Sequence, residues 1–473
     1  MATISSTGIG SGLDVNSIVT SLMAVESRPL TLLQQAKTDL NTQLSAFGKL
    51  QSLTSTMRDA ANALSSVTLW NQTVASSADS ASVGVTSASG ATVGSYSVNV
   101  LNLAAAQTVS SGTFASSTST LGEGTLTIEL GSWSGEPTPT GFTAKSGSSA
   151  VSITIGPDDT SLTAIRDKIN AAGAGVTATI VTDSSGARLA LRSKDTGAEN
   201  AFRITTADSA LSALAYDASD AAASQMTRNQ TAVNANATIN GIAVTSASNQ
   251  LDGVADGLTL TLLKPTTSSV DVGVKANDDS VKTAVSTFTT AFNALASYIR
   301  DQTKYDATAK TGGTLQGDRT VGSLLSQLRG VINQASGASS TYTRLSDIGI
   351  VMQTDGTLST DSTKLASAIS NRTELRKVLA TDGTTTAGSG FMDRFRDLGN
   401  ALLDTDGSLT TRNSGLQTAI ANNDKSQSAM QTRLDQTEKR LRAQYQTLDT
   451  NMAKLSALSS YLTGQLAALA SNS

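Results

Sequence analysis

The feature that most constrains the fold is a long series of apolar residues at the end of the chain. They recur at three- and four-residue steps, the spacing that places side chains on one face of an α-helix. With Thr437 in the same register, the series is Met430, Leu434, Leu441, Tyr445, Leu448, Met452, Leu455, Leu458, Leu462, Leu466 and Leu469. No charged residue follows Lys454. A helix over 416–469 would be about 80 Å long, and an apolar face of that length needs a partner.

A second helical series begins near the start of the chain. It comprises Ile18, Leu22, Val25, Leu32, Ala36, Leu40, Leu44, Phe47, Leu50, Met57, Ala61 and Leu64. Pro29 lacks an amide proton and disfavours helix at Arg28, so it predicts a kink or a new helix start. The two terminal series are expected to pack against each other as antiparallel helices.

Between the ends the apolar period changes from helical to two, as in Tyr96, Val98 and Val100, which predicts β-strands. Within 151–204 the pattern is strand (151–155), helix (162–170), strand (176–181), turn (185–186) and strand (188–191). Helix returns as one apolar face made of Val281, Val285, Phe288, Phe292, Leu295 and Ile299, which we expect to form the packing face of a helical domain. Another helix is predicted around 324–332, followed by a strand pair at 349–358 with a tight turn.

The predicted fold class is therefore α+β multidomain, with long antiparallel terminal helices forming a coiled-coil stalk and β-rich head domains inserted between them. Four domains are expected. They are a terminal helical leg (1–40 with 415–473), a helical domain with a small β element (41–77 with 276–414), a β-rich head (78–125 with 225–275) and a second, α+β head (126–224).

Composition excludes much of enzymology. The chain contains no histidine and no cysteine, which removes His-dependent nucleophile activation, thiolate or imidazole metal sites and disulfides. No cofactor or metal is expected. The net charge is −4 and no basic stripe is present, so nucleic acid is not an expected partner. No cleaved signal peptide or membrane span is expected either. The glycines between Gly8 and Gly12 do not have the spacing of a phosphate-binding loop and are expected to leave the terminus flexible before docking.

Several segments resemble one family. Residues 4–19, beginning Ile4-Ser5-Ser6, with Leu22, Glu26 and Pro29-Leu30 after them, resemble the start of the flagellar filament cap family, hook-associated protein 2. Residues 315–318, 345–350 and 355–358 resemble its second helical region, and 433–455 its closing helix. Residues 162–197 resemble a module shared among flagellin-related heads. Residues 108–149, with Trp133, match no motif of the family.

This resemblance implies a filament cap and not an enzyme. It implies a homo-oligomeric ring, expected to be a pentamer, located outside the cell at the filament tip. The ring promotes folding and insertion of exported flagellin and prevents its leakage. Flagellin and the hook–filament junction proteins are the implied partners, and the flagellar type III apparatus the implied export route.

The residues expected to form the terminal coiled coil and to dock on the filament are Ile18, Leu22, Val25, Leu32, Leu434, Leu441, Leu448, Met452, Leu455 and Leu462. Because an uncharged apolar helix exposed in the cytosol favours aggregation, an export chaperone is expected to cover the C-terminal helix before assembly.

Two alternatives stay open. The polar, aromatic-poor heads suit a tip adhesin that binds host glycans or mucin, and a head fragment that binds cells without affecting motility would favour this alternative. An enzyme would have to rely on a carboxylate pair, and the sequence does not indicate which of the 38 acidic residues face each other.

Overall fold

The computed structural model describes residues 14–308 and 310–470, and these form two compact units. One unit contains the described residues up to Leu69 and those from Asp279 onward, and we call it the helical unit. The other unit, Trp70–Asp278, is called the β unit. The β unit is thus inserted in the chain between the two halves of the helical unit.

The helices are α1 (Val15–Glu26), α2 (Arg28–Ser65), α3 (Val67–Trp70), α4 (Leu162–Ala171), α5 (Asp278–Thr303), α6 (Arg319–Asn333), α7 (Ser362–Ser370), α8 (Arg372–Ala380), α9 (Phe391–Leu403) and α10 (Ser408–Ala470). The strands are β1 (Thr73–Ser77), β2 (Val83–Ser87), β3 (Gly94–Asn102), β4 (Thr108–Ser110), β5 (Gly124–Ser134), β6 (Gly141–Ala144), β7 (Val151–Ile155), β8 (Val176–Asp183), β9 (Gly186–Ser193), β10 (Ala201–Thr205), β11 (Thr227–Gln230), β12 (Ala235–Ile239), β13 (Ile242–Ser246), β14 (Gln250–Ala255), β15 (Leu258–Leu262), β16 (Val270–Ala276), β17 (Tyr305–Asp306), β18 (Thr311–Gly312), β19 (Ile350–Met352) and β20 (Leu358–Thr360).

The β unit contains two large hydrophobic cores and a smaller cluster formed by Ala91, Leu258 and Val274. One large core lies between a five-stranded sheet, in the order β1-β16-β3-β12-β13, and a three-stranded sheet, in the order β14-β15-β2. Inward-facing Val98, Val100 and Val272 of the larger sheet are fully buried there with Leu260 and Leu262 of the smaller one. Alternate residues of each strand face this core, as the period-two pattern predicts.

The second core of the β unit joins α4 to two four-stranded sheets. These have the orders β11-β4-β9-β8 and β10-β5-β6, with β7 also paired to β5. Leu162, Ile165 and Ile169 of α4 pack in this core with Phe202 of β10. Val109 also packs in this core, although it lies in the range 78–125 that was predicted to belong to the first head. The four-domain division stays a prediction.

The helical unit is organised around a cluster of phenylalanines. The ring of Phe395 in α9 lies 5.0 Å from that of Phe288 and 5.9 Å from that of Phe292, both in α5. All three side chains are fully or almost fully buried. Such aromatic pairs add about 0.5–1.5 kcal/mol each beyond the free energy of burial.

Most of the secondary structure predicted from periodicity is confirmed. The helix breaks at Ser27, immediately before Arg28 and Pro29, and α2 starts with Pro29 in its first turn. The structure contains the strands and helix predicted within 151–193, and the helix predicted from Val281 to Ile299. It also contains the helix predicted around 324–332 and the strand pair predicted at 349–358. The fold class, α+β with long terminal helices and inserted β-rich segments, is confirmed. The glycine-rich segment Gly8–Gly12 lies outside the described residues.

The helices α7, α8 and α9 were not predicted. α7 begins at an N-cap: Asp361 Oδ1 accepts hydrogen bonds from the amides of Thr363 (2.9 Å) and Lys364 (3.0 Å). Each of the three helices has 13 residues or fewer, so it shows only a few apolar repeats. Tertiary packing stabilises such short helices more than their own propensity does.

Glu374 in α8 connects this helix to the loop that follows α6. Its carboxylate accepts hydrogen bonds from Ser339 Oγ (2.7 Å) and from the amide and hydroxyl of Ser340 (2.9 and 3.1 Å), and Lys377 Nζ lies 2.7 Å away. Lys377 and these donors stabilise the ionised form and lower the pKa of Glu374 to about 2. Since the pKa in the unfolded chain is about 4.3, the contribution of Glu374 to stability is present above that pH and is lost as pH falls toward 2.

We therefore expect Glu374→Gln to weaken the acid dependence of unfolding. The wild-type melting temperature should fall between about pH 4.5 and pH 2, and the Gln variant should melt lower at pH 6 but lose less across the same window. Thermal unfolding followed by circular dichroism over a pH series tests this, with exposed Glu26→Gln as the control. Parallel curves for wild type and Glu374→Gln would contradict the assignment.

Candidate functional site

The two ends of the chain meet as antiparallel helices within the helical unit. Asn413 Nδ2 donates to Gln51 Oε1 (2.7 Å) near one end of the contact, and Arg442 Nη1 donates to Asn16 Oδ1 (2.9 Å) near the other. Contacts thus move backward along α2 and α1 as they move forward along α10. The predicted antiparallel pairing of the terminal helices is confirmed.

The middle of this helix pair is held by polar contacts. Lys37 Nζ lies 2.7 Å from Asp424 Oδ1, and Gln427 Nε2 donates to the carbonyl of Leu33 at 3.4 Å. The lysine and aspartate side chains are 39% and 46% exposed, so this ion pair contributes less than about 1 kcal/mol to the free energy of unfolding. Its effect is to favour one register over others more than to add stability.

The base of α10 is fixed more firmly. Asp318 caps α6 by accepting from the amides of Thr320 (2.8 Å) and Val321 (3.4 Å), and its other oxygen lies 2.9 Å from Arg412 Nη2. The Arg412 guanidinium lies 5.6 Å from the centre of the Phe47 ring in α2. One carboxylate thus helps to connect α6, α10 and α2. Asp318 lies in the segment 315–318 that resembles the family, and the apolar periodicity of the sequence did not predict its structural role.

The structure divides the predicted docking residues into three groups. Leu434 is buried at 5% exposure, and Ile18 and Leu441 are half-buried. The exposed group consists of Leu22, Val25, Leu32, Leu448, Met452, Leu455 and Leu462. Their filament-docking role stays a prediction. By contrast, the six residues predicted to form a packing face in α5 are all buried: Val281, Val285, Phe288, Phe292, Leu295 and Ile299.

The last part of α10 carries a continuous exposed apolar surface, which we call the terminal apolar stripe. It consists of Leu448, Met452, Leu455, Leu458, Tyr461, Leu462 and Leu466, with exposures from 41% to 66%. Full burial of one such side chain contributes about 1.5–3 kcal/mol. An uncharged stripe of this length is suited to binding another apolar surface, not to chemistry.

The β unit contains a cleft of about 570 Å³ lined by Trp133, Glu136, Asn102, Asn236 and Thr245, among others. Its polar groups are bonded to one another: Asn236 Nδ2 donates to Asn102 Oδ1 (2.9 Å), and Thr245 Oγ1 donates to Asn236 Oδ1 (2.8 Å). Glu136 is paired with Arg228.

Trp133 is likewise engaged within the fold. Its Nε1 donates to Gln107 Oε1 at 2.8 Å, and its ring contacts Phe142 and Tyr216 at 4.7 and 5.9 Å. Burial raises the pKa of Tyr216 to about 12, so the phenol stays neutral. These bonds stabilise the second core, and nothing in the cleft favours glycan binding over this structural role. The adhesin alternative therefore stays a prediction.

Within the described residues there is no group of three or more acidic side chains arranged to hold a metal ion. None of the described helices combines the length and apolarity needed to cross a bilayer. The most distinctive surface is instead the terminal apolar stripe at the end of a long helix. Fold and surface together define an assembly protein, one that acts by binding other protein subunits.

Comparisons with known proteins identify the family. The family model described as the N-terminus of flagellar hook-associated protein 2 matches residues 11–107, and that of its C-terminus matches 232–457. A further model, the flagellin hook IN motif, matches 142–195. The chain belongs to the flagellar hook-associated protein 2 family, the family of the flagellar cap proteins.

Individual relatives agree over the whole length. Flagellar hook-associated protein 2 of Escherichia coli strain K12 is 32% identical over 485 residues, with 98% of each chain covered. The protein of the same name from Salmonella typhimurium is 31% identical over 482 residues, with 99% of each covered. The solved D1-D2-D3 domains of the flagellar cap protein FliD from Escherichia coli superpose with a TM-score of 0.61 at 30% identity, covering 79% of this chain and 99% of that one. The resemblance inferred from the sequence is confirmed.

We expect stability to depend on the buried part of α10 and not on its exposed end. Leu455→Gln combined with Leu462→Gln should change the free energy of unfolding by less than about 1 kcal/mol, because both side chains are exposed. Leu434→Ala should cost about 2–5 kcal/mol, because it leaves a cavity in the helix contact. Urea unfolding of the full chain, followed by the helical circular dichroism signal, measures the change in unfolding free energy for both variants. Equal losses for the two variants would show that the stripe is already packed in the free protein.

Proposed function

We propose that this chain caps the flagellar filament as a homo-oligomeric ring, expected to be a pentamer, that promotes the folding and insertion of exported flagellin and prevents its leakage. Family membership over the full length supports the cap role. The observation that carries the mechanism is the terminal apolar stripe, since a large exposed apolar surface marks a site of protein binding.

In this proposal the terminal helices are the docking legs. Leu448, Met452, Leu455 and Leu462 bind apolar surfaces of flagellin or of the hook–filament junction proteins, while Leu22, Val25 and Leu32 offer a second exposed patch on α1 and α2. The helical and β-rich domains carry the contacts between subunits. The protein acts at the filament tip, outside the cell, after export by the flagellar type III apparatus.

A complementation experiment tests the docking role. A strain lacking the gene should lose motility and release unpolymerised flagellin into its medium, and the full chain should restore both. Neither residues 41–414 alone nor the full chain with Leu455→Gln and Leu462→Gln should restore them, although the double variant is folded. Leu22→Gln with Val25→Gln tests the second patch in the same assay.

The matched control is Leu101→Gln with Leu263→Gln, which changes two exposed apolar residues of the β unit and leaves α10 intact. If swimming and flagellin retention were normal with the stripe variant, the stripe would not be the docking surface. If deletion of the gene left filaments and swimming intact, the cap role itself would be wrong.

We further propose that a cytosolic export chaperone covers the terminal apolar stripe before assembly. An exposed uncharged helix is an aggregation hazard during the time between synthesis and export. The full chain should therefore retain a cytosolic partner in a pull-down, and the chain lacking residues 443–473 should not. The full chain with Glu374→Gln serves as the matched control, because it alters the helical unit away from the stripe. Equal recovery of the partner with and without 443–473 would contradict this proposal.

A further inference from the structure

Strand β13 ends the five-stranded sheet with an edge that nothing covers among the described residues. It contains no charged residue and no proline, the two devices that commonly protect an edge from pairing. Its hairpin with β12 pairs Ile242 with Ile239 across the two-residue turn Asn240-Gly241. In this register Ala243 and Thr245 direct their amide and carbonyl groups away from β12.

A groove with both apolar and polar lining residues lies beside this edge. Its volume is about 390 Å³, and its lining includes Ile242, Val244, Ile239, Tyr96 and Asp256. Ile242 is 70% exposed, although its side chain is apolar and its strand belongs to a sandwich. A free strand edge next to a groove is the arrangement that binds an added strand: backbone hydrogen bonds give affinity, and the groove accepts alternate side chains.

Strand β8 provides a second free edge in the same unit. It ends the sheet β11-β4-β9-β8, and its hairpin register pairs Asp183 with Gly186. Ala178, Ile180 and Thr182 therefore point their backbone groups outward. The Asn170 side chain covers Ala178, bonding to its carbonyl (2.9 Å) and amide (2.7 Å). Ile180 and Thr182 are left to pair, and Val181 between them is 55% exposed.

The two edges carry complementary charge. Arg188 and Arg192 of β9 stand opposite Val181 and Thr177 of β8, on the exposed face of that hairpin. Asp256 is exposed and lines the groove beside β13. The acidic residue at the end of β8, Asp183, is turned back into its own hairpin, where its Oδ1 accepts from the Ser185 amide at 2.7 Å.

We propose that β8 of one copy pairs antiparallel with β13 of the next copy, and that this contact joins neighbouring β units in the ring. Ile180 and Thr182 exchange backbone bonds with Thr245 and Ala243 of the neighbour, which sets Val181 opposite Val244 at the groove. Because the two edges are different surfaces of one chain, the contact is head to tail, and a head-to-tail contact forms a ring when the rotation between neighbouring copies closes. This inference rests on the self-association in the proposed function and names its surface.

A disulfide tests the register directly, since the chain has no cysteine of its own. Val181 and Val244 would face each other as a non-hydrogen-bonded pair with Cα atoms about 4.5 Å apart, within disulfide range. The full chain with Val181→Cys and Val244→Cys should give, on oxidation, a ladder of reducible oligomers on a denaturing gel. Either single variant should give none, and a mixture of the two single variants should give dimers only.

The outcomes separate the contact from the ring. If the double variant sediments as an oligomer but forms no disulfide, this contact is wrong and self-association stands. If Val181→Cys alone cross-links, two copies meet through the same edge and the head-to-tail contact is wrong. If the full chain stays monomeric at every concentration tested, the contact and the proposed ring both fail.

Charge reversal provides a second test without cysteines. Arg188→Asp should weaken self-association roughly tenfold, and so should Asp256→Arg, while the two changes together should restore it. Arg166→Asp on α4, which like Arg188 is a half-buried arginine of the β unit, is the matched control and should have little effect. Analytical ultracentrifugation measures each dissociation constant. Reversals that weaken association without rescue by the double variant would contradict the pairing of these charges.

Discussion

The antiparallel contact between α2 and α10 is the interaction on which the rest of the structure depends. It brings together segments separated by more than 350 positions, as in the hydrogen bond between Gln51 and Asn413. Because the two ends of the chain pair in this way, they form one helical unit, and the β unit is an insertion within its sequence. α9 and α5 pack in the helical unit through Phe395, Phe288 and Phe292. Few aromatic residues are available in this chain, and three of its eight phenylalanines are used here.

The character of this contact changes along its length. Near the phenylalanine cluster α2 buries Phe47, Leu50 and Met57 completely. Farther out the contact is made by Lys37 with Asp424 and by Gln427 with a carbonyl of α2. Polar contacts of this kind specify register at some cost in stability. Beyond these polar contacts the pair is apolar again, because Leu434 of α10 and Val15 and Val19 of α1 are buried.

The sequence predicted the elements with strong periodicity and missed those without it. The face of α5, the part of α10 from 416 to 469 and the elements at 151–193 could all be predicted, because each repeats its pattern several times. α7, α8 and α9 are too short for that, and Phe395 has no periodic signal that distinguishes it as the centre of an aromatic cluster. Leu32 shows a further limit: it is 71% exposed, whereas its neighbour Leu33 is half-buried and its carbonyl faces α10. The predicted series passed from Val25 to Leu32 across the break expected at Pro29, and the new helix that starts there shifts the half-buried position from Leu32 to Leu33.

Two kinds of exposed apolar surface remain in this fold, and they differ in what can cover them. The terminal apolar stripe offers only side chains, because every interior backbone group of a helix is already bonded within it. Its partner is thus selected by apolar area, which suits binding to several different proteins in succession. The edges of β8 and β13 offer backbone donors and acceptors, whose spacing admits only another strand in register. In the proposed assembly, the chaperone and the filament bind the terminal apolar stripe, and neighbouring copies bind each other through the strand edges.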